Sequence, residues 1–365
     1  MAKVRLGYIG CGGMSTRMHY PFIVKTPEIE LVAVCDLKED LARHHARAYG
    51  AVRHYTNVQK MLESEQLDAA VVVGPPQMHT ELAPMVLEHK LHLFTEKPIA
   101  VSLEEAKKLV AAADKSGKFT QVGHMMRHAT PIKIARKLMA QPEFGKPTFI
   151  ESKYFTPPSS KAWGLTDPRW CYMLVQAIHP IDLARHLGGD IVRLGATACH
   201  GQGDNGAYAV CVQFASGTSG WLNLNGSCPV WNTGAEITGD GGAFISIENM
   251  TRLRYLPPPA KQWLNREDTD GQGNVPYVWE SVQADAGEIR VGYQNEWKHF
   301  AQCILTNTPS YPSFRDAYKA MLVCRAILDS VESGKMVDVL CPRGGKASIA
   351  PPESPETIRI SGNRN

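Results

Sequence analysis

Thr95-Glu96-Lys97-Pro98 sets a lysine at the end of an apolar run, Leu91 to Thr95, that has the length and composition of a buried strand. In an open parallel sheet, ligands gather outside the carboxyl ends of the strands, so a lysine there stands where chemistry is done. A desolvated lysine amine can take the proton of a substrate hydroxyl, which makes Lys97 the candidate catalytic residue. The competing expectation is a solvated Lys97 paired with Glu96. A second grouping, His179-Pro180-Ile181-Asp182, places an imidazole and a carboxylate three residues apart, so that on a helix they share a face. The two read either as a base with its orienting carboxylate, or as a helix on which Asp182 pairs with Arg185 or His186.

A third grouping suits a dinucleotide. The β-branched run Val4 to Ile9 stops at Gly10-Cys11-Gly12-Gly13-Met14, and Ser15 to Lys25 is expected to be helical. Gly10 permits the tight turn, Gly12 lets backbone amides approach a pyrophosphate, and the amino terminus of the following helix offers its positive dipole. The next strand, Leu31 to Cys35, ends in Asp36, whose carboxylate would accept hydrogen bonds from the adenosine ribose. Ser15 stands where the third fingerprint glycine is expected. Lys38 and Arg43 follow Asp36 and could hold a 2′-phosphate, so NAD is expected and NADP stays open. Another run, Ala69 to Val73, ends at Gly74-Pro75-Pro76, and the cofactor can lie over that end. His79 adjoins this path near the start of a helix, where an imidazole is expected to be a surface or capping group.

The elements that must position these residues alternate strand and helix as far as Phe119 to Gly123, which predicts a doubly wound parallel sheet. Ser102-Leu103-Glu104-Glu105 opens one of its helices as a Ser cap with an acid three residues on. Beyond His124 a helix is expected over Thr130 to Ala140. The chain then reads as longer strands, Thr148 to Phe155, Ile191 to Cys199, Tyr208 to Phe214, Ser219 to Asn225, Ala235 to Thr238 and Ala243 to Glu248. Ser216-Gly217 and Asp240-Gly241-Gly242 are the expected hairpin turns. Pro257 to about Ile289 reads as irregular, and helices resume at Glu296 to Leu305 and Arg315 to Val331, the second closed by Gly334. The fold class is α/β: a Rossmann domain over 1–125, an α+β domain with a large, mainly antiparallel sheet over 126–340, and an extended tail over 341–365. Such a sheet needs cover on its second face, which predicts a homodimer or homotetramer.

Composition agrees with small-molecule chemistry. In 365 residues, 39 basic side chains balance 36 acidic ones without a like-charge block, which argues against nucleic acid or a membrane surface as partner. Nine scattered cysteines without a C-x-x-C pair argue against a disulfide framework or a metal module and for a reducing compartment, so a cytoplasmic protein is expected. The chain is expected to enter its first strand directly after Met1-Ala2-Lys3, so no signal peptide is expected, and no apolar stretch reaches the length of a membrane span.

Gly10 to Met14, Asp36, Glu96-Lys97-Pro98, Arg127 and His179-x-x-Asp182 together resemble the glucose-fructose oxidoreductase and inositol dehydrogenase family, Gfo/Idh/MocA, over roughly residues 3 to 335. The resemblance implies an NAD(P)-dependent oxidoreductase acting on a sugar, cyclitol or related polyol, often a dimer or tetramer. It maps Lys97 and His179 to the catalytic lysine and histidine and Glu96 to the nicotinamide end, and it implies a cis Lys97-Pro98 bond. Arg127, Tyr154, Trp163, Arg169, Trp170 and Asp182 are the expected substrate residues. One departure stands out: the family commonly carries an acid four residues before the histidine, and here that place is Val175. Two other outcomes therefore stay open. In one, a retained cofactor oxidises a sugar hydroxyl transiently to drive elimination or epimerisation. In the other, a cofactor-binding sensor keeps the fold without turnover.

Overall fold

Continuous apolar runs are what a parallel sheet covered on both faces requires, and the amino-terminal half supplies them for the central strands of a six-stranded sheet. In the computed structural model, which describes residues 2–159, 162–200, 206–258, 276–281 and 291–339, the six strands are β1 (Val4–Ile9), β2 (Ile29–Cys35), β3 (Arg53–Tyr55), β4 (Ala69–Val72), β5 (His92–Thr95) and β6 (Thr120–Val122). All pair in parallel in the order β3-β2-β1-β4-β5-β6. The order reverses between β1 and β4, and both Gly10 and Gly74 lie at that crevice, the place where open sheets bind ligands. Helix ends follow from local chemistry. The Asn57 side chain accepts from Lys60 N and that of Ser102 from Glu105 N, while Gly50 and Gly117 close their helices in the left-handed conformation. The helix expected over Ser15 to Lys25 opens instead as a π-turn, Ser15–His19, followed by Tyr20–Ile23.

The second sheet has nine strands: β7 (Pro147–Phe155), β8 (Ile191–His200), β9 (Gly206–Phe214), β10 (Ser219–Asn225), β11 (Asn232–Gly239), β12 (Phe244–Glu248), β13 (Arg252–Leu256), β14 (Tyr277–Glu280) and β15 (Val337–Asp338). Their order is β14-β13-β12-β11-β7-β10-β9-β8-β15. Only the β7–β10 pair is parallel. Gly217 and Gly242 take positive φ in the two expected hairpin turns. β13, β14 and β15 go beyond the sequence reading, and β14 lies within the stretch expected to be irregular. In β13 the alternation is carried by outward Arg252 and Arg254 against buried Leu253 and Tyr255, a pattern that arginines conceal. Residues 259–275 and 282–290 of that stretch, and the expected tail 341–365, lie outside the described residues.

One face of the second sheet is covered by the helices Ile178–Gly188 and Phe314–Ser333. The last two helices also return to the first sheet. Trp297, in the helix Tyr293–Leu305, is fully buried and stacks on Phe94 of β5 with ring centroids 4.4 Å apart. The edge of β6 is closed by the segment before the last helix: Val122 N donates to Pro312 O at 2.8 Å, Ser310 Oγ to Thr120 O at 3.2 Å and Phe314 N to Thr120 Oγ1 at 3.1 Å. No helix among the described residues is long and apolar enough to cross a membrane.

Candidate functional site

The crevice at the reversal point is a cleft of about 490 Å³ lined by Gly10, Gly12, Asp36, Leu37, Lys38, Asn57, Gly74, Pro75 and Met78 among others. Gly10 has φ +107, and a Cβ there would run into the Val73 carbonyl oxygen, so glycine is needed on two counts. Nothing lies within 4 Å of where a Cβ on Gly12 or Gly13 would stand, which leaves their backbone open to a close ligand. Ser15 is fully buried where the fingerprint's third glycine would be. Asp36 is fixed by two backbone amides: Cys11 N donates to Oδ2 at 2.8 Å and Lys38 N to Oδ1 at 2.9 Å. Each carboxylate oxygen keeps a further lone pair for a ribose hydroxyl. Arg43 faces Asp40 at 3.3 Å and Glu39 at 3.8 Å. These features fit a nicotinamide dinucleotide. The Cys11 thiol beside them is pushed up to about 11 by burial, which makes it a packing group.

Across the crevice, β5 ends in the expected tetrapeptide, and the Lys97-Pro98 bond is cis. Glu96 is buried, with Oε1 3.0 Å from His19 Nε2 and Oε2 accepting from Lys97 N at 2.9 Å. Burial alone would raise its pKa, but the His19 bond and the Lys97 charge outweigh it and hold the carboxyl below its usual range. Gly123, just past β6, makes room for this side chain, since a Cβ there would stand 2.6 Å from Glu96 Oε1. Lys97 Nζ donates to the Val175 main-chain oxygen at 2.8 Å. Burial lowers the lysine's pKa, with the Glu96 charge opposing. His79, expected at the surface, is instead fully buried beneath this loop with Nδ1 3.0 Å from Pro98 O, and burial lowers it to about 4. Packing of Ala83, Val86 and Leu87 on the same helix draws that turn inward.

The helix Ile178–Gly188 brings His179 to the same place. Its ring stacks on Tyr154 at 5.8 Å and meets His124 edge-on at 6.5 Å. Burial, then the charge of Lys97, depresses the His179 pKa well below its ordinary value, so the imidazole is neutral. Asp182 does not pair chiefly with Arg185 or His186. It forms a buried bidentate pair with Arg127, both bonds 2.6 Å, and stands 3.8 Å from His124 Nδ1 and 4.0 Å from Arg185. Arg127 and Asp182 are thus engaged with one another at the joint of the two sheets. Arg169 bonds Asp167 and, at 3.1 Å, Glu332 on the last helix. Trp170 Nε1 donates to Val101 O at 2.8 Å, and Trp163, at φ +56, accepts Gln77 Nε2 on its carbonyl at 2.9 Å. These last two bonds strap the cleft walls together.

Three residues escaped the sequence reading. His19 lies one turn into the π-segment and is identified only by its partner Glu96. His124 follows β6 directly and obeys the same strand-end rule that singled out Lys97; burial lowers it to about 4. Glu296 is fully buried with neither carboxyl oxygen bonded, and burial together with the nearby Glu96 charge raises its pKa well above the usual range. No periodic pattern distinguishes it from the surface acids of an amphipathic helix.

Comparison with known proteins agrees with this geometry. Residues 4–124 match the model of the Gfo/Idh/MocA oxidoreductase family's NAD-binding Rossmann fold, and residues 132–245 match that family's C-terminal domain. The chain is 24% identical to a D-apiose dehydrogenase of Paraburkholderia graminis, covering 91% of this chain and 88% of that protein. It is 26% identical to a scyllo-inositol 2-dehydrogenase (NAD(+)) of Bacillus subtilis, covering 92% and 96%. The crystal structure of a dehydrogenase from Chromobacterium violaceum superposes with a TM-score of 0.83 at 25% identity, covering 92% of this chain and 97% of that one. With both halves accounted for, the chain belongs to the Gfo/Idh/MocA family of NAD-binding oxidoreductases.

Proposed function

We propose that the chain is an NAD-dependent dehydrogenase of a secondary hydroxyl on a sugar, cyclitol or related polyol, with Lys97 as the proton acceptor. The carrying observation is a lysine amine at a strand end, lowered in pKa by burial and bonded to a neutral carbonyl instead of a carboxylate. The relatives named for apiose and inositol support the substrate class. When bound, the nicotinamide supplies the hydride acceptor. Lys97 takes the hydroxyl proton, and neutral His179, braced against Tyr154, holds the same hydroxyl by a hydrogen bond. Glu96, fixed by His19, keeps the lysine backbone in place. Asp36 favours NAD over its 2′-phosphorylated form, because its fixed charge repels a phosphate and Arg43 is already paired. The second sheet's other face, with Phe149, Glu151, Lys153, Trp221 and Gln213 open or half-open, is the subunit contact.

The test mixes purified protein with NAD and a panel of polyols and follows nicotinamide absorbance. Reduction of NAD with a polyol supports the reading. Binding of NAD without reduction by any polyol would instead favour the retained-cofactor or sensor alternative. A monomeric mass by light scattering at micromolar concentration would remove the subunit contact.

A further inference from the structure

The loop 226–231 joins β10 to β11 beside the carboxyl end of β7. It is tied down: Gly226 N donates to Gly206 O at 3.0 Å, Ser227 N to Asn225 Oδ1 at 2.8 Å and Cys228 N to Thr156 O at 3.0 Å. It ends in Val230 and Trp231, which are 58% and 55% exposed. The alternation of β11 decides which face Trp231 takes. Thr233, Ala235 and Ile237 stand opposite Tyr154, Ser152 and Ile150 of β7, all three of them buried on the face that the helices cover. Trp231 continues that row, and its ring meets the Tyr154 ring at 5.8 Å and 82°. Tyr154 in turn stacks on His179 at 5.8 Å. The Trp231–Tyr154 contact is edge-to-face, so it leaves at least one face of the indole uncovered by Tyr154.

We propose that Trp231 is a specificity-determining residue whose indole covers the C–H face of a second ring, so that the substrate is a glycoside whose first ring carries the reacting hydroxyl. The inference rests on the reading that Lys97 and His179 hold that hydroxyl. Two ring-to-ring steps separate His179 from Trp231, and one sugar ring is about as wide as one such step. A lone ring held at His179 therefore stops short of the indole, while a ring attached to it reaches the second step. Sugar hydroxyls leave the C–H faces of the ring apolar, and such a face laid on an indole removes apolar surface of both from water. An aromatic side chain on a tied-down loop also loses little freedom when the ligand arrives. The sheet's open face, the subunit contact proposed above, carries Glu236 opposite Glu151 instead, and Trp231 lies on the other side of β11.

The test compares the wild type with Trp231→Ala and Trp231→Phe on matched pairs, each single-ring sugar of the panel beside its phenyl glycoside. The wild type should turn over the phenyl glycoside of its best sugar with a kcat/KM roughly tenfold or more above that of the free sugar, as for a well-placed aromatic contact. Trp231→Ala should lose that preference through KM, with kcat and the free sugar's kinetics within about twofold, and Trp231→Phe should keep part of it. Tm and the mass by light scattering should not move, since the side chain is more than half exposed. A wild type without the preference would overturn the proposal, as would a preference that survives in Trp231→Ala or an equal loss on both members of a pair. A changed mass in Trp231→Ala would assign the indole to a subunit contact and overturn it too. Should the wild type reduce NAD with no member of the panel, the functional reading itself fails, and calorimetry then decides the inference separately. Phenyl glycosides should bind the NADH complex of Trp231→Ala more weakly than that of the wild type; equal binding, or none by the wild type, overturns the proposal.

Discussion

A lysine, a histidine and an aspartate carry the proposed chemistry, and each is held by a different kind of partner. Lys97 is held by a carbonyl, His179 by a stacked tyrosine, and Asp36 by two amides. Lys97→Met keeps the side-chain length and removes the proton acceptor. Loss of one acid-base group costs on the order of 10² to 10⁴ in rate, so kcat should fall by that much while NAD affinity stays within a few fold. Steady-state kinetics with a polyol identified in the panel, together with NAD titration, checks both halves. Asp36→Ala should do the converse: calorimetric titration should show weaker NAD binding and a smaller preference over NADP, with kcat at saturating NAD little changed. Lys97 and Asp36 were legible because each closes an apolar strand, and Gly10 because its turn has a fingerprint. The Val175 carbonyl that accepts from Lys97 was not legible, because sequence reading looks for side chains and every residue has a carbonyl. His19 was hidden for another reason, since its partner Glu96 lies 77 residues away.

At the scale of elements, the carboxyl end of β5 depends on the absence of a side chain just past the neighbouring strand. Gly123 does not have a positive φ, so its requirement is steric: its missing Cβ is the space that Glu96 fills. In Gly123→Ala the carboxylate must leave His19 or the strand must shift. Overpacking of this kind costs about 1 to 3 kcal/mol, so Tm should drop, and kcat should drop with it because the Lys97 backbone loses its anchor. Unchanged Tm and kcat would show that the carboxylate has somewhere else to go. The strands of the first sheet and the caps at Ser102 and Gly334 followed from local pattern and capping chemistry. The edges of the second sheet did not, since β15 has two residues and β13 presents arginines at alternate positions.

Across the whole molecule, seven buried or half-buried histidines among the described residues shape the response to acid. His79, His92, His124 and His299 are lowered to about 4, and His128, His179 and His186 fall well below their ordinary value, in every case chiefly because burial disfavours the charged ring. The folded state therefore binds fewer protons than the unfolded chain between roughly pH 4 and 6.5. Their contribution is complete above about pH 6.5 and is lost progressively as pH falls toward 4. Urea denaturation at a series of pH values should show stability declining through that window, and a flat profile would mean that the rings gain partners on protonation.

The return of the last two helices bears on how such proteins could be recombined. Cutting after the first sheet, at residue 125, would keep all six of its strands and the glycine turn in one fragment. It would also strip Trp297 from Phe94 and the 310–314 segment from β6, exposing an aromatic face and an unpaired strand edge. A fragment of residues 1–125 should therefore aggregate or show no cooperative melting transition, and a soluble fragment that melts cooperatively would contradict this. Chimeras with relatives would then have to inherit the carboxyl-terminal helices from the same parent as the amino-terminal sheet, so the heritable unit of this enzyme is discontinuous along the chain.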